Sequence, residues 1–162
     1  MAKLLAYPLS VLYYFFFGFT ILLFDGIQRI CYYIFGLKAH RTSIIVLNFF
    51  VLRCLNILGT RFTLDCPFTL EKNQSYIFVA NHQSTYDIPP LIWYLRKVYP
   101  KFVGKKELSK GIPSISFNLK HGGAVLIDRK NRNQALQDIK TFGEKLATTN
   151  SSIIIFPEGT RS

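Results

Sequence analysis

Two long apolar runs open the chain, and after Gly59 the pattern breaks into short β-rich stretches separated by helical spacing. From Leu4 to Phe24, 21 residues pass without a charge. As a helix of about 30 Å they match the hydrocarbon thickness of a bilayer. Pro8 sits near the start, where a helix tolerates it. A secretory signal peptide competes for this segment, but no small-x-small cleavage site follows and the apolar run is too long. The second run, Ile44 to Leu58, has Asn48, Arg53 and Asn56 as its polar members. At about 100° per residue these fall within an arc of about 140°, and the other face is continuous Ile, Leu, Val and Phe. That predicts a helix lying in a membrane interface or packed against the first helix. Two helices of a large soluble core are the bland alternative, disfavoured by runs such as YYFFFGF. Spanning and re-entrant paths for the first helix both fit the pattern. Arg29, Lys38 and Arg41 lie between the runs with only Asp25 opposing, which predicts a cytoplasmic side for that segment.

Beyond Gly59 the β-rich runs are SYIFVA (75–80), KFVG (101–104), GAVLI (123–127) and SIIIF (152–156). Compact apolar strands of this kind suit a sheet covered on both faces. Helical signals alternate with them. Residues 88–98 carry Pro89 and Pro90, acceptable only in a first turn. Residues 132–147 place Ala135, Leu136, Ile139, Phe142 and Leu146 at helical spacing, with Asn131 or Asn133 as a cap. The order strand, helix, strand, helix, strand, helix, strand predicts an α/β fold with a mostly parallel sheet flanked by helices. Chemistry is then expected in the loops at the C-terminal ends of the strands.

Apolar residues make up 49% of the chain and aromatics 15%, the excess lying near the N-terminus. The net charge of +11 concerns partners rather than fold. Anionic lipid headgroups and nucleic acid are the two candidates, and nucleic acid does not account for the lipid-facing start. Arg96, Lys97, Lys101, Lys105, Lys106 and Lys110 crowd one segment with only Glu107 opposing. Cys31, Cys54 and Cys66 are scattered, form no zinc spacing, and read as reduced, buried thiols in a cytosolic setting.

Three polar clusters sit at three strand ends. In VANHQSTYD, His82 is followed five residues later by Asp87. A carboxylate that accepts the proton of one ring nitrogen fixes the tautomer and leaves the other nitrogen as a base. Taken alone, the pair fits a polar turn and a helix cap equally well. In GGAVLIDRKNR an apolar strand runs into Asp128, Arg129, Lys130 and Arg132, a set of cations suited to a phosphate. A solvated charged loop is the alternative. In IIIFPEGTRS, Pro157 stiffens the strand exit, Gly159 permits close backbone approach, and Glu158 and Arg161 can pair or contact a ligand. No G-x-S-x-G, Cys–His nucleophile, phosphate-binding Gly-rich loop or metal-ligand cluster accompanies them.

Taken together and in this order, NHQSTYD, GGAVLIDR and FPEGTRS resemble the first three motifs of the glycerolipid acyltransferases, most closely the lysophosphatidic acid acyltransferase family. The resemblance covers residues 76–162 and is strengthened by VGKKEL (103–108). It implies acyl transfer from acyl-CoA or acyl-carrier protein to the 2-hydroxyl of 1-acyl-glycerol-3-phosphate, giving phosphatidic acid. His82 would be the base, aligned by Asp87. Gly123 and Arg129 would help bind the acceptor phosphate, with Lys105 and Lys106 adding to that pocket. Glu158, Gly159, Thr160 and Arg161 would bind the acceptor and arrange the site. No covalent enzyme intermediate, metal or cofactor is required, the acyl donor being a substrate. The implied partners are the lipid membrane, lysophosphatidic acid and the acyl donor, with the site on the cytoplasmic side and no nucleic acid. Another lysolipid acceptor, or a non-catalytic basic membrane-binding fragment, is the competing reading.

The chain departs from the family pattern in having Leu126 where Phe is common, and in stopping at Ser162, before a fourth motif. The resulting expectation is a membrane-associated helical segment over 1–59 and an α/β acyltransferase domain over 60–162, cut short after the third motif.

Overall fold

A computed structural model describes residues 2–72, 74–128, 130–149 and 151–159. The chain opens with helix α1, Ala2–Ile57, broken once at Gly36, where φ is 78° and ψ is −173°. That φ is in the left-handed region, which glycine enters without the Cβ clash other residues meet. The break folds α1 into a hairpin. Tyr13 packs with Leu52, Cys54 and Leu55, while Ile21 and Phe24 pack with Leu47 and Val51, so the two arms run antiparallel. Both apolar runs are therefore helical, but neither helix has its expected limits. The first continues past Phe24 and the second begins just beyond Gly36.

The polar residues between the runs stay within helix, held by a local ion pair and by contacts to the Ser114–Phe117 stretch. Asp25 pairs with Arg29 one turn on, at 3.0 Å. Gln28 and His40 are fully buried; Gln28 accepts a hydrogen bond from Ser114 Oγ and His40 packs against Phe117. The opposite face stays apolar and open, with Tyr7 at 78%, Val11 at 70% and Ile34 at 70% exposed. By length and composition, α1 is sufficient to cross a membrane.

The remaining elements are β1 (Ile77–Val79), α2 (Ile88–Tyr94), β2 (Lys101–Lys105), α3 (Ile115–His121), β3 (Val125–Ile127), α4 (Arg132–Thr149) and β4 (Ile153–Ile155). The strands form one sheet in the order β1-β4-β2-β3. Every pairing is parallel, with Ile77 opposite Ile153, Lys101 opposite Ile153, and Val103 opposite Val125. β4 is flanked on both sides, and its Ile153 and Ile154 are buried. This matches the expectation that a short continuous apolar strand is a covered one. Ser152 is buried at the foot of β4, its hydroxyl accepting from the Tyr76 N–H and its carbonyl from the Lys101 N–H. β1 is an edge strand with Ile77 and Val79 exposed.

Helix α2 stops at Tyr94, short of the expected 98, as Leu95 leaves helical geometry and the chain turns toward Pro100. Its Trp93 packs on Phe49 of the hairpin, 4.7 Å between centroids. α4 is capped by Asn131, whose side-chain oxygen accepts from the Gln134 N–H. Cys54 is buried as expected, but Cys66 is exposed, because 60–72 is irregular and lies outside the core.

Candidate active site

β1 hands the chain to the site by a short route. The Ala80 N–H still bonds to the Ile155 carbonyl; His82 then stands just past the C-terminal end of β1. Ser84 is extended at the start of a 3-10 turn, Thr85–Asp87, and a reciprocal capping box closes it. The Ser84 hydroxyl accepts from the Tyr86 N–H at 3.2 Å, and Asp87 Oδ2 accepts from the Ser84 N–H at 2.9 Å. Asp87 thus faces back along the chain before α2 begins, with Pro89 and Pro90 in the first turn of that helix, where missing N–H groups cost nothing.

Asp87 Oδ2 is the hub. It takes the Gln83 and Ser84 N–H groups at 2.9 Å each and His82 Nδ1 at 3.0 Å. Burial alone would raise the Asp87 pKa. The Ser84 N–H, the imidazole and the Gln83 N–H outweigh it and hold the carboxyl below its ordinary value. An ionised carboxylate only accepts, so Nδ1 carries the proton and Nε2 presents a lone pair. The His82 side chain is 19% exposed and Asp87 28%, so the pair is sheltered but open to a substrate.

The loop after β4 joins this pair. Phe156 stacks beneath the imidazole with centroids 4.3 Å apart and the rings 26° from parallel. Glu158 Oε1 accepts from the His82 N–H at 3.4 Å. Gly159 has φ 67° and returns its N–H to the Phe156 carbonyl at 3.0 Å, closing a tight turn. Lys105 ends β2 on the same edge of the sheet and lies 3.6 Å from Glu107. Asp128 follows β3 on that edge and takes the Lys130 N–H in a local turn. Arg129, Thr160 and Arg161 lie outside the described residues.

Gly123 is not at this site. It precedes β3, at the opposite end of the sheet from His82, and its φ is 82°. A Cβ there would stand 2.9 Å from Lys101 Nζ, which donates to the Gly122 carbonyl at 2.6 Å. Its conformation turns the chain from α3 into β3. We expect G123A to cost about 1–2 kcal/mol, from the left-handed backbone penalty, while specific activity of the folded fraction is unchanged. Urea denaturation and an active-site assay on the same sample check this.

The basic segment is likewise not one surface. Lys101 and Lys105 lie at opposite ends of β2, and Arg96 folds over the Trp93 ring. Lys101 is pushed down to about 8 from 10.5, by burial first and then by the charges of Arg41 and Lys145. Between those values the folded chain binds fewer protons at Lys101 than the unfolded chain. Its contribution to stability therefore rises with pH from about 8 to 10.5. K101M should flatten that rise, as read from denaturation midpoints across the window.

Several contributors escaped sequence reasoning. Phe156 is a stacking platform that looks like one more apolar strand residue. Ser84 was visible in principle, as the first residue of an S-x-x-D capping pattern. Tyr13 of α1 donates to the Tyr86 hydroxyl at 2.8 Å, tying the hairpin to the turn that carries Asp87. No local signal marks a contact 73 residues apart.

A family model described as Acyltransferase matches residues 61–162. A 1-acyl-sn-glycerol-3-phosphate acyltransferase of Helicobacter pylori is 36% identical over 131 residues, covering 73% of this chain and 53% of the relative. One of Saccharomyces cerevisiae is 30% identical, covering 68% of this chain and 37% of its own. The crystal structure of the 1-acyl-sn-glycerophosphate acyltransferase PlsC from Thermotoga maritima superposes with a TM-score of 0.74 at 26% identity, over all of this chain and 64% of that one. The chain spans 53% and 37% of the lengths of these two curated relatives.

Proposed function

The chain belongs to the acyltransferase family, and on that premise we propose that it acylates the 2-hydroxyl of 1-acyl-glycerol-3-phosphate to give phosphatidic acid. The observation that carries the proposal is the His82–Asp87 pair, 3.0 Å apart, with Nε2 free of any hydrogen bond among the described residues. The relatives named above supply the acceptor. The donor is a fatty acyl thioester of coenzyme A or of acyl-carrier protein.

In the reaction His82 Nε2 takes the proton of the acceptor hydroxyl as its oxygen bonds to the thioester carbonyl carbon. The tetrahedral intermediate collapses, the C–S bond breaks, and the thiolate recovers the proton from the imidazolium. Asp87 stabilises that imidazolium and keeps the ring aligned. Phe156 limits ring tilt, and Glu158 holds the His82 main chain. Lys105 begins two strand spacings from β1, about 10 Å, a distance that its side chain and the acceptor's glycerol phosphate share. Arg129, Thr160 and Arg161 complete the recognition of the same phosphate in this proposal, and Gly159 turns the chain after Glu158. The open apolar face of α1 keeps the site at a bilayer surface, and the cations near Gly36 favour its cytoplasmic side.

Thiol release from acyl-CoA, followed with and without lysophosphatidic acid in detergent, tests the proposal. Release that depends on lysophosphatidic acid is the expected result. Preference for lysophosphatidylcholine, which lacks a terminal phosphate monoester, would overturn the acceptor assignment.

A further inference from the structure

A cleft of about 480 Å³ lies between the first arm of α1 and the stretch from Ser109 to His121. That volume is in the range of small-molecule sites. The transfer chemistry does not use it. It runs from the Ser109–Pro113 stretch along α3 to Lys120, two residues before Gly122.

Its walls carry Arg29, Lys110 and Lys120 against one carboxylate, Asp25. That carboxylate is already engaged: it takes Arg29 at 3.0 and 3.3 Å and the Ser114 N–H at 2.6 Å. Lys110 and Lys120 are exposed and make no hydrogen bond or ion pair among the described residues. The Arg29 guanidinium lies over the Phe117 ring, 4.8 Å from its centroid, with its fork on Asp25. With Arg29 paired to Asp25, Lys110 and Lys120 are left as cations without a counter-charge among the described residues of this lining, which favours an anion such as a phosphate. The rim of the cleft is apolar. Tyr33 lines it at 69% exposure and leads onto Ile34 on the open face of α1.

We propose that this cleft binds the phosphate of an anionic glycerophospholipid, its acyl chains lying on the Tyr33–Ile34 face, as a site separate from the one at His82. Free phosphate has the same charge but no chains to use that face. The full chain, isotopically labelled in neutral detergent, is titrated with dihexanoyl phosphatidic acid, dihexanoyl phosphatidylcholine and inorganic phosphate. The amide resonances of Lys110, Gly111 and Lys120 are followed. Phosphatidic acid should shift them saturably, at least tenfold more tightly than inorganic phosphate, and phosphatidylcholine should not. K110Q/K120Q, which leaves the Asp25–Arg29 pair intact, should weaken phosphatidic acid by roughly 25-fold, about fivefold per cation. H82A should leave the midpoint where it was. Equal binding of inorganic phosphate would overturn the lipid assignment. Equal binding of phosphatidylcholine, or no effect of K110Q/K120Q, would overturn the phosphate site altogether.

Discussion

His82→Ala is expected to lower the turnover rate by about 100- to 10,000-fold, the usual contribution of a positioned general base. The loss should fall on kcat, since the ring acts on the proton that moves in the transition state and not on the acceptor phosphate. The fold should survive. Asp87 keeps its bonds from the Gln83 and Ser84 N–H groups, and the main-chain bond from residue 82 to Glu158 does not need the imidazole. Single-turnover thioester cleavage beside a thermal melt reads both quantities. Wild-type turnover in a folded H82A protein would remove His82 from the mechanism.

Asp87→Asn should reduce turnover comparably, by about 100- to 10,000-fold, because an amide no longer dictates which ring nitrogen carries the proton. It should also cost about 1 kcal/mol of stability as the charge-assisted cap at the 3-10 turn weakens. The pH dependence has a definite sign. Asp87 is held below its ordinary value in the fold. Its stabilising contribution is therefore complete above the usual carboxylate range and is lost as pH falls through the depressed folded value. The stability gap between wild type and D87N should be full near pH 7 and shrink below about pH 4. Urea midpoints over that span measure it, and a gap that widened on acidification would contradict the geometry of this carboxylate.

The parts legible in the sequence were those with local causes. Four apolar runs became four parallel strands, Pro89 and Pro90 marked a first helical turn, and Asn131 capped α4. His82 and Asp87 could be paired from spacing because only five residues separate them. Features that depend on distant partners stayed hidden. The charges at Asp25 and Arg29 looked like the end of an apolar helix, yet they pair with each other inside one. Gly123 shares a motif with residues beyond the far end of β3, and strand direction sets the two a strand length apart. Phe156 gained its place under the imidazole from a sheet order that no run of residues spells out.

That sheet order also sets when the site can exist during folding. Among the described residues β1 has one neighbour, β4, which is the last of their four strands in chain order. The pairing of Ile77 with Ile153 closes a loop of 76 residues, a non-local contact of the kind that forms late. While a nascent chain lacks β4, His82 has neither the ring of Phe156 below it nor the carboxylate of Glu158 on its main chain. The base is therefore assembled only once β4 has paired with β1. A growing chain can form its apolar hairpin well before the base beside β1 is assembled.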